Sequence, residues 1–322
     1  MSIHRYNIHM TSLDVSIIIP VKNNEKTLSR CLNSIFNQKT TFKYEVIIVS
    51  DPSIDKTYDI IDEYSRSHDN LIHLKLDKTP IGQARNIGIN KSNGDYLMFI
   101  DADDYYSSDA INTMVKTIKE TDSDIVSASN YYIHKDGKPK KSFFSKNHTY
   151  NQKGMLKALM QDSYMHGFMW NKIYKCSLLK NKNYVLPEKN IIREDVLTNF
   201  QVFLNADKLT MISKPIYFYD KREESTTSVI DKTRVPWFIE IFAIEKYLLE
   251  KNKPQYIKMF NSLKFRRKLL VWGDRQIVKK GYTKNEYKDL KSYCRKYLKI
   301  ISSNGKLPID GTPWENFIGK IK

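Results

Sequence analysis

The 322-residue sequence is poor in the features that mark several large protein classes. It has three cysteines, Cys31, Cys176 and Cys294, far apart and with no CxxC pair. A disulfide framework and a cysteine-rich zinc site are therefore disfavoured. Seven histidines are scattered without HExxH spacing. Only 11 glycines are present, and neither GxxxxGK[ST] nor GxGxxG occurs, so P-loop and dinucleotide readings lack their carriers. The GxSxG elbow is missing too. No apolar run approaches the roughly 18 residues of a membrane span. Met1 to Asp14 has no apolar core, so no secretory leader is expected and a cytoplasmic location follows.

Hydrophobic residues make up 41% and charged residues 28%, which suits a folded chain with a sizeable core. The formal charge is +17, unevenly spread. From Asp231 to Lys322, 22 Lys and Arg face 9 Asp and Glu, a net of +13. Such asymmetry suits an anionic partner, either an acidic polymer, a membrane surface or nucleic acid, and equally a merely solvated surface.

The first 130 residues alternate in period. Val15–Val21 and Tyr44–Ser50 are nearly continuous apolar runs, as in strands buried on both faces. Leu71–Asp77, Tyr96–Asp101 and Asp124–Ser129 are further strand candidates. Between them Glu25–Phe36, with Asn24 as its N-cap, Thr57–Ser67, Gly82–Asn90 and Ala110–Glu120 carry apolar residues at helical spacing. This rhythm predicts an α/β domain with a mainly parallel sheet flanked by helices. Lys135–Lys146 reads as a loop or hairpin. Helices are expected at Lys153–Gln161 and Glu194–Leu204, and strands at Leu209–Ser213 and Ile216–Tyr219. Past Val235 the pattern is mostly helical and basic, with Phe238–Leu249 and Ile257–Lys279 clearest. The expected division is a catalytic domain over 1–230 and a helical basic module over 231–322.

Ligands of such sheets bind beyond the carboxyl ends of the strands. The sharpest signal there is Asp101-Ala102-Asp103-Asp104. In an extended chain Asp101 and Asp103 point the same way and offer hard oxygens to Mg²⁺ or Mn²⁺. Turn and capping roles are the plain alternative. Asp51, in SDPSID, follows the second strand and could accept a hydrogen bond from a base, or cap a turn. Arg85, in GQARN, could fork onto a diphosphate. Glu194 and Asp195 open a helix, where acids also complement the dipole. Trp170 and Lys172, in WNK, could line a sugar cleft, though such a tryptophan more often packs in a core.

The order of these blocks is more specific than any one of them. VSIIIPVKNNEKTLSRCLNSIFNQ, YEVIIVSDPSIDKT, GQARNIGINKSNGDYLMFIDADD and REDVLTNF, between Val15 and Ser228, resemble the family 2 glycosyltransferases of GT-A fold. The resemblance implies a nucleotide-diphospho-sugar donor, usually UDP-linked, and inverting transfer to an acceptor hydroxyl. It implies that Pro20, Val21 and Glu25 lie in the nucleotide loop. Asp51 would contact the base, and Arg85 would sit near base and diphosphate. Asp101 and Asp103 would hold ribose and metal, Mn²⁺ or Mg²⁺. Asp195 would be the base, with Glu194 beside it in the cleft, and Arg222 would sit on a loop covering the diphosphate. Trp170 and Lys172 would line the sugar and acceptor cleft. Two departures stand out. SDPS replaces the usual DDGS, so that turn must differ, and Arg193 stands where glycine is frequent. Asp104 is a third candidate for the metal.

The basic stretch, densest at Lys264, Arg266, Arg267, Lys268, Lys279 and Lys280, would dock an anionic glycan, a teichoic-acid-like or lipid-linked acceptor, or the inner membrane face. It could equally complete the fold or form a homo-oligomer contact. A nucleic-acid binder lacks aromatics interleaved with basics on a sheet. A metal-dependent nucleotidyltransferase leaves the Glu-Asp pair unexplained.

Overall fold

The apolar runs become adjacent strands because both their faces must be covered. In the computed structural model, residues 13–77, 81–133, 137–142, 146–160, 167–182, 184, 194–220 and 248–260 are described, with the single positions 285, 288 and 292. One ten-stranded sheet runs through them. Its strands are β1 (Val15–Val21), β2 (Tyr44–Ser50), β3 (Leu71–Lys75), β4 (Tyr96–Phe99), β5 (Tyr105–Tyr106), β6 (Ile125–Ile133), β7 (Pro139–Ser142), β8 (His148–Asn151), β9 (Lys172–Lys175) and β10 (Lys208–Asp220). The helices are α1 (Leu28–Phe36), α2 (Thr57–Ser67), α3 (Ile81–Lys91), α4 (Ala110–Thr121), α5 (Gln152–Met160), α6 (Glu194–Asn205) and α7 (Ile257–Phe260).

The strand order is β3-β2-β1-β4-β9-β6-β10-β5, with β7 on β6 and β8 on β10. The half β3-β2-β1-β4 is parallel, as the alternation predicts. Beyond it the sheet is mixed. β9 is antiparallel to both β4 and β6, and β6 is parallel to β10. β1, β2, β4, β6 and β10 therefore all end on one edge.

Alternate residues of each central strand enter different cores. Ile18, Ile47, Val49, Leu97 and Phe99 pack with α3, α5 and α6 through Ala84, Leu156 and Phe200. Ile17, Ile19, Val46, Ile48 and Met98 pack with α1, α2 and α4 through Leu32, Ile61 and Met114. Leu249 joins the first core, and Ile257 and Met259 pack against it. This stretch beyond Asp231 is thus continuous with the sheet domain. The expected boundary itself, Arg222 and the cluster from Lys264 to Lys280 lie outside the described residues. Among the described residues no helix is long and apolar enough to cross a membrane.

Two local expectations change. Asn24 does not cap α1; the cap is Thr27, with no side-chain hydrogen bond. The carbonyl of Asn24 instead accepts the amides of Thr27 and Leu28, and its side chain accepts that of Lys22, 2.9 Å away. The two strands expected at Leu209–Ser213 and Ile216–Tyr219 are one, β10, whose register shifts around Pro215. Proline has no amide for the ladder, so the break in apolar pattern marks a bulge. Within the expected loop or hairpin at Lys135–Lys146, the described residues Pro139–Ser142 form β7, antiparallel to β6.

Gly94 fixes the approach of β4 to β1. Its amide donates to Ser16 Oγ at 2.9 Å, and that hydroxyl donates to buried Glu45 at 2.6 Å. A Cβ at Gly94 would lie 2.6 Å from both Ser16 N and Val15 C. Backbone cannot yield as a side chain can, so Gly94→Ala should cost about 2–4 kcal/mol. Chemical denaturation would show it as a lower midpoint with unchanged slope. A loss under about 0.5 kcal/mol would mean the strands tolerate the shift.

Candidate functional site

Two loops at the carboxyl edge are laced together. The amide of Asn23 donates to Ser53 Oγ (3.1 Å), and that of Ile54 returns to Asn23 Oδ1 (3.0 Å). Asn24 N meets Thr57 Oγ1 at 2.8 Å, Glu25 N meets Asp55 Oδ2 at 3.0 Å, and Lys56 N meets Glu25 Oε2 at 3.0 Å. This lacing uses Asn23, Asn24 and Glu25, just before the start of α1. It also occupies one oxygen of the Glu25 carboxylate. Pro20 and Val21 close β1, where the Val21 carbonyl accepts the Asp51 amide at 3.0 Å. Asp51 has Lys22 Nζ 3.8 Å from Oδ2, and its carbonyl accepts the Tyr58 hydroxyl at 3.1 Å. The altered SDPS turn has its own support. Ser50 is fully buried, and its hydroxyl lies 2.8 Å from His73 Nε2. Burial, with the Lys75 charge, holds the His73 imidazole below its usual range.

The acidic segment after β4 is a turn, not the extended chain expected, because the Asp104 amide returns to the Asp101 carbonyl at 3.0 Å. Even so, Asp101, Asp103 and Tyr105 are half-exposed while Ala102, Asp104 and Tyr106 are buried. Buried Arg85, on α3, holds Asp101 Oδ1 at 3.0 Å. Asp104 turns inward. It accepts the Tyr217 hydroxyl at 2.5 Å and the Asp220 amide at 2.8 Å. Burial, with Asp103 and Asp101 nearby, pushes its carboxyl well above the usual range. Asp104 therefore anchors the turn to β10.

Arg30 of α1 gives a second anchor. Nη2 donates to the Asp103 carbonyl at 2.7 Å and to Asp220 Oδ2 at 2.6 Å. Nothing in the sequence singled out Arg30, Tyr217 or Asp220. Their partners stand 73 to 190 residues away, beyond any local pattern.

Asp101 and Asp103 give one turn two half-exposed carboxylates. Among the described residues no group of three His, Cys, Asp or Glu could hold a metal unaided. Two hard side chains with the rest of the shell left to water and phosphate is what Mg²⁺ accepts. The residues fit a cation shared with a diphosphate.

Across the sheet, Asp195 lies in the first turn of α6 at 9% exposure, its Oδ1 accepting the Val196 amide at 2.9 Å. Glu194 begins the same helix. Lys172, on β9, is fully buried and donates to the Phe168 carbonyl (2.6 Å) and Asn171 Oδ1 (2.8 Å). Burial lowers its pKa to about 7, against an opposing pull from the Asp195 charge. Buried Tyr174 donates to Asn199 Oδ1 at 2.7 Å and lies within the fields of both Asp195 and Arg85. Trp170, 4% exposed, stacks on Tyr217 at 4.3 Å and Phe168 at 5.0 Å. In the described structure Trp170 and Lys172 are packed beneath the edge rather than presented on it.

Lys172 gives a signed stability prediction. Its folded pKa is lowered, so the cost of burying the ammonium is fully present below about pH 7. As pH rises toward the unfolded value near 10.4, the folded chain sheds the proton first and stability increases. Lys172→Met removes this linkage. The unfolding free energy of the native chain should gain roughly 1–3 kcal/mol on that of Lys172→Met between pH 6 and pH 9. Urea melts at the two pH values measure this, and a pH-independent difference would refute it.

The edge so built is that of the GT-A class of α/β folds. The structure overlays that of S. aureus TarS residues 1–349 in complex with UDP-GlcNAc with a TM-score of 0.72, covering 90% of this chain and 91% of that one. At 20% identity this likeness concerns the fold. The sequence model of glycosyl transferase family 2 matches residues 16–180, half of the chain, and the chain belongs to that family. It is 30% identical over 210 residues to a poly(ribitol-phosphate) beta-glucosyltransferase of Bacillus spizizenii, covering 64% of this chain and 32% of that protein. It is 29% identical over 225 residues to the glycosyltransferase GlyA of Streptococcus pneumoniae, covering 67% and 32%. The chain thus spans about a third of the length of these relatives.

Proposed function

We propose that this chain transfers a sugar from a UDP-sugar to a hydroxyl of a polyol-phosphate or related cell-surface glycan, with inversion at the anomeric carbon. The observation that carries this is the carboxyl edge of the sheet, where buried Arg85 holds Asp101 at 3.0 Å with half-exposed Asp103 two residues on. Family membership, and two relatives named for poly(ribitol-phosphate), support the donor and acceptor classes.

In this reading Asp51 and the laced loops receive the base, and Arg85 and Asp101 hold the diphosphate side. A Mn²⁺ or Mg²⁺ bound by Asp103 and Asp101 would neutralise charge on the leaving diphosphate. Asp195 takes the acceptor hydroxyl's proton as that oxygen attacks the anomeric carbon. The bond from that carbon to the diphosphate breaks, UDP leaves with the electron pair, and one displacement inverts the centre. Residues 1–230 would supply this chemistry. The basic stretch beyond them would keep the chain near an anionic acceptor or membrane face.

A thermal-shift screen of nucleotide sugars, with and without Mn²⁺, tests the reading. A ligand of the native state raises the melting temperature by mass action. A Mn²⁺-dependent rise with one UDP-sugar is expected. No rise with any nucleotide sugar would overturn the assignment.

A further inference from the structure

Two consecutive residues of α1 reach across to the acidic turn and hold its carbonyls. Cys31 Sγ donates weakly to the Asp101 carbonyl at 3.8 Å, and Arg30 Nη2 donates to the Asp103 carbonyl at 2.7 Å. From β10, the Tyr217 hydroxyl accepts the Asp101 amide at 3.2 Å. The backbone of both candidate cation ligands is thus held from outside the turn. A carboxylate one bond beyond Cβ can reach only where its backbone lets it, so fixing these peptides fixes the reach of both acids.

Arg30 is itself placed by two groups. The same Nη2 donates to Asp220 Oδ2 at 2.6 Å, and the guanidinium lies 4.8 Å from the Tyr105 ring centre. Tyr105 stacks on Phe218 at 4.6 Å and 5°, and Tyr131 stacks on Phe218 at 4.9 Å and 21°. The ring beside the cation is therefore backed by a stack across β5, β10 and β6. An arginine has many rotamers to lose, and the carboxylate and the ring hold it to one. Asp220 also offsets a positive charge that would otherwise oppose a metal ion near Asp103.

Such a pair could serve stability or geometry. The Arg30 side chain is 44% exposed, and an ion pair that open to water adds little to stability. Geometry is the stronger claim. Mg²⁺ tolerates little error in ligand placement, and the groups behind its ligands set much of the affinity.

We propose that Arg30, held by Asp220, is a positioning residue for the Asp101–Asp103 turn. It fixes the Asp103 carbonyl, and through it the affinity for the cation, without touching the cation or the donor. This rests on the transferase reading above and adds the residue that shapes its cation site.

The test is Mn²⁺ binding to the full chain at a fixed UDP concentration, read without turnover from the electron paramagnetic resonance signal of the free ion. Arg30→Met should bind Mn²⁺ about tenfold more weakly. The sign discriminates, because loss of a nearby positive charge alone would tighten the binding of a cation. Arg30→Lys, whose one nitrogen can also donate to both oxygens, should regain most of the affinity. The melting temperature without ligand should stay close to native in both, and saturating Mn²⁺ should return most of the turnover of Arg30→Met. Native or tighter Mn²⁺ binding in Arg30→Met would overturn the positioning role and leave the transferase reading intact. So would a melting temperature that falls in step with Mn²⁺ affinity across Arg30→Met, Arg30→Lys and Asp220→Ser, which would mark the pair as plain support of the fold. A native chain that binds neither UDP nor Mn²⁺ would overturn the transferase reading, and this role with it.

Discussion

Asp195→Asn is expected to lower turnover by about 10²–10⁴-fold, the usual worth of a positioned general base. The amide oxygen can still accept the Val196 amide, so the first turn of α6 keeps its shape. Lys172 stays held by the Phe168 carbonyl and Asn171, neither of which belongs to α6. Donor binding should therefore persist, seen as an undiminished melting-temperature rise with the UDP-sugar. The rate is read by release of UDP in the presence of acceptor. Full turnover in the variant would remove Asp195 from the role of base. A loss of rate with a parallel loss of donor binding would point to disruption of the site.

Asp103→Asn should have the second largest effect, through the cation rather than the proton. The turn is held by backbone and neighbours: Arg30 on the Asp103 carbonyl, Arg85 on Asp101, Tyr217 and Asp220 on Asp104. These bonds hold the turn through the Asp103 backbone and through Asp101 and Asp104, so the turn should keep its shape. What is lost is one of two hard anionic ligands. The apparent affinity for Mn²⁺ should fall by more than about tenfold, and turnover at fixed metal by about 10²–10³-fold. Raising Mn²⁺ should recover part of that rate. A titration in which the variant saturates at the native Mn²⁺ concentration would show that the carboxylate does not hold the ion.

Both predictions start from residues legible in the sequence, and the reason is physical. Runs such as Val15–Val21 announce strands covered on both faces, and the edge at their carboxyl ends is where a ligand can reach backbone and side chains. Asp51 and Asp101 follow β2 and β4 closely, so local pattern placed them at that edge, while Arg85 and Asp195, on α3 and α6, were singled out by short motifs. Local pattern also misjudged some neighbours. Asn24 has the chemistry of a helix cap, but its loop is spent on hydrogen bonds to residues 30 or more positions away. Of the two readings open for Trp170, sugar platform or core, the structure shows packing in the core with Tyr217 stacked on it.

By itself, then, the sequence determined the alternating α/β plan, the family and the acids and arginine of the edge. Each is written in short-range periodicity or in a short motif. Tertiary structure alone decided that Asp104 turns inward, that Arg30 ties the acidic turn to β10, and that Lys172 is buried near Asp195. It also stacked Tyr105, Phe218 and Tyr131 across β5, β10 and β6. Those arrangements depend on β9 and β10 entering the sheet from distant parts of the chain, and strand order is set by which faces the whole chain can bury together, which no local window contains.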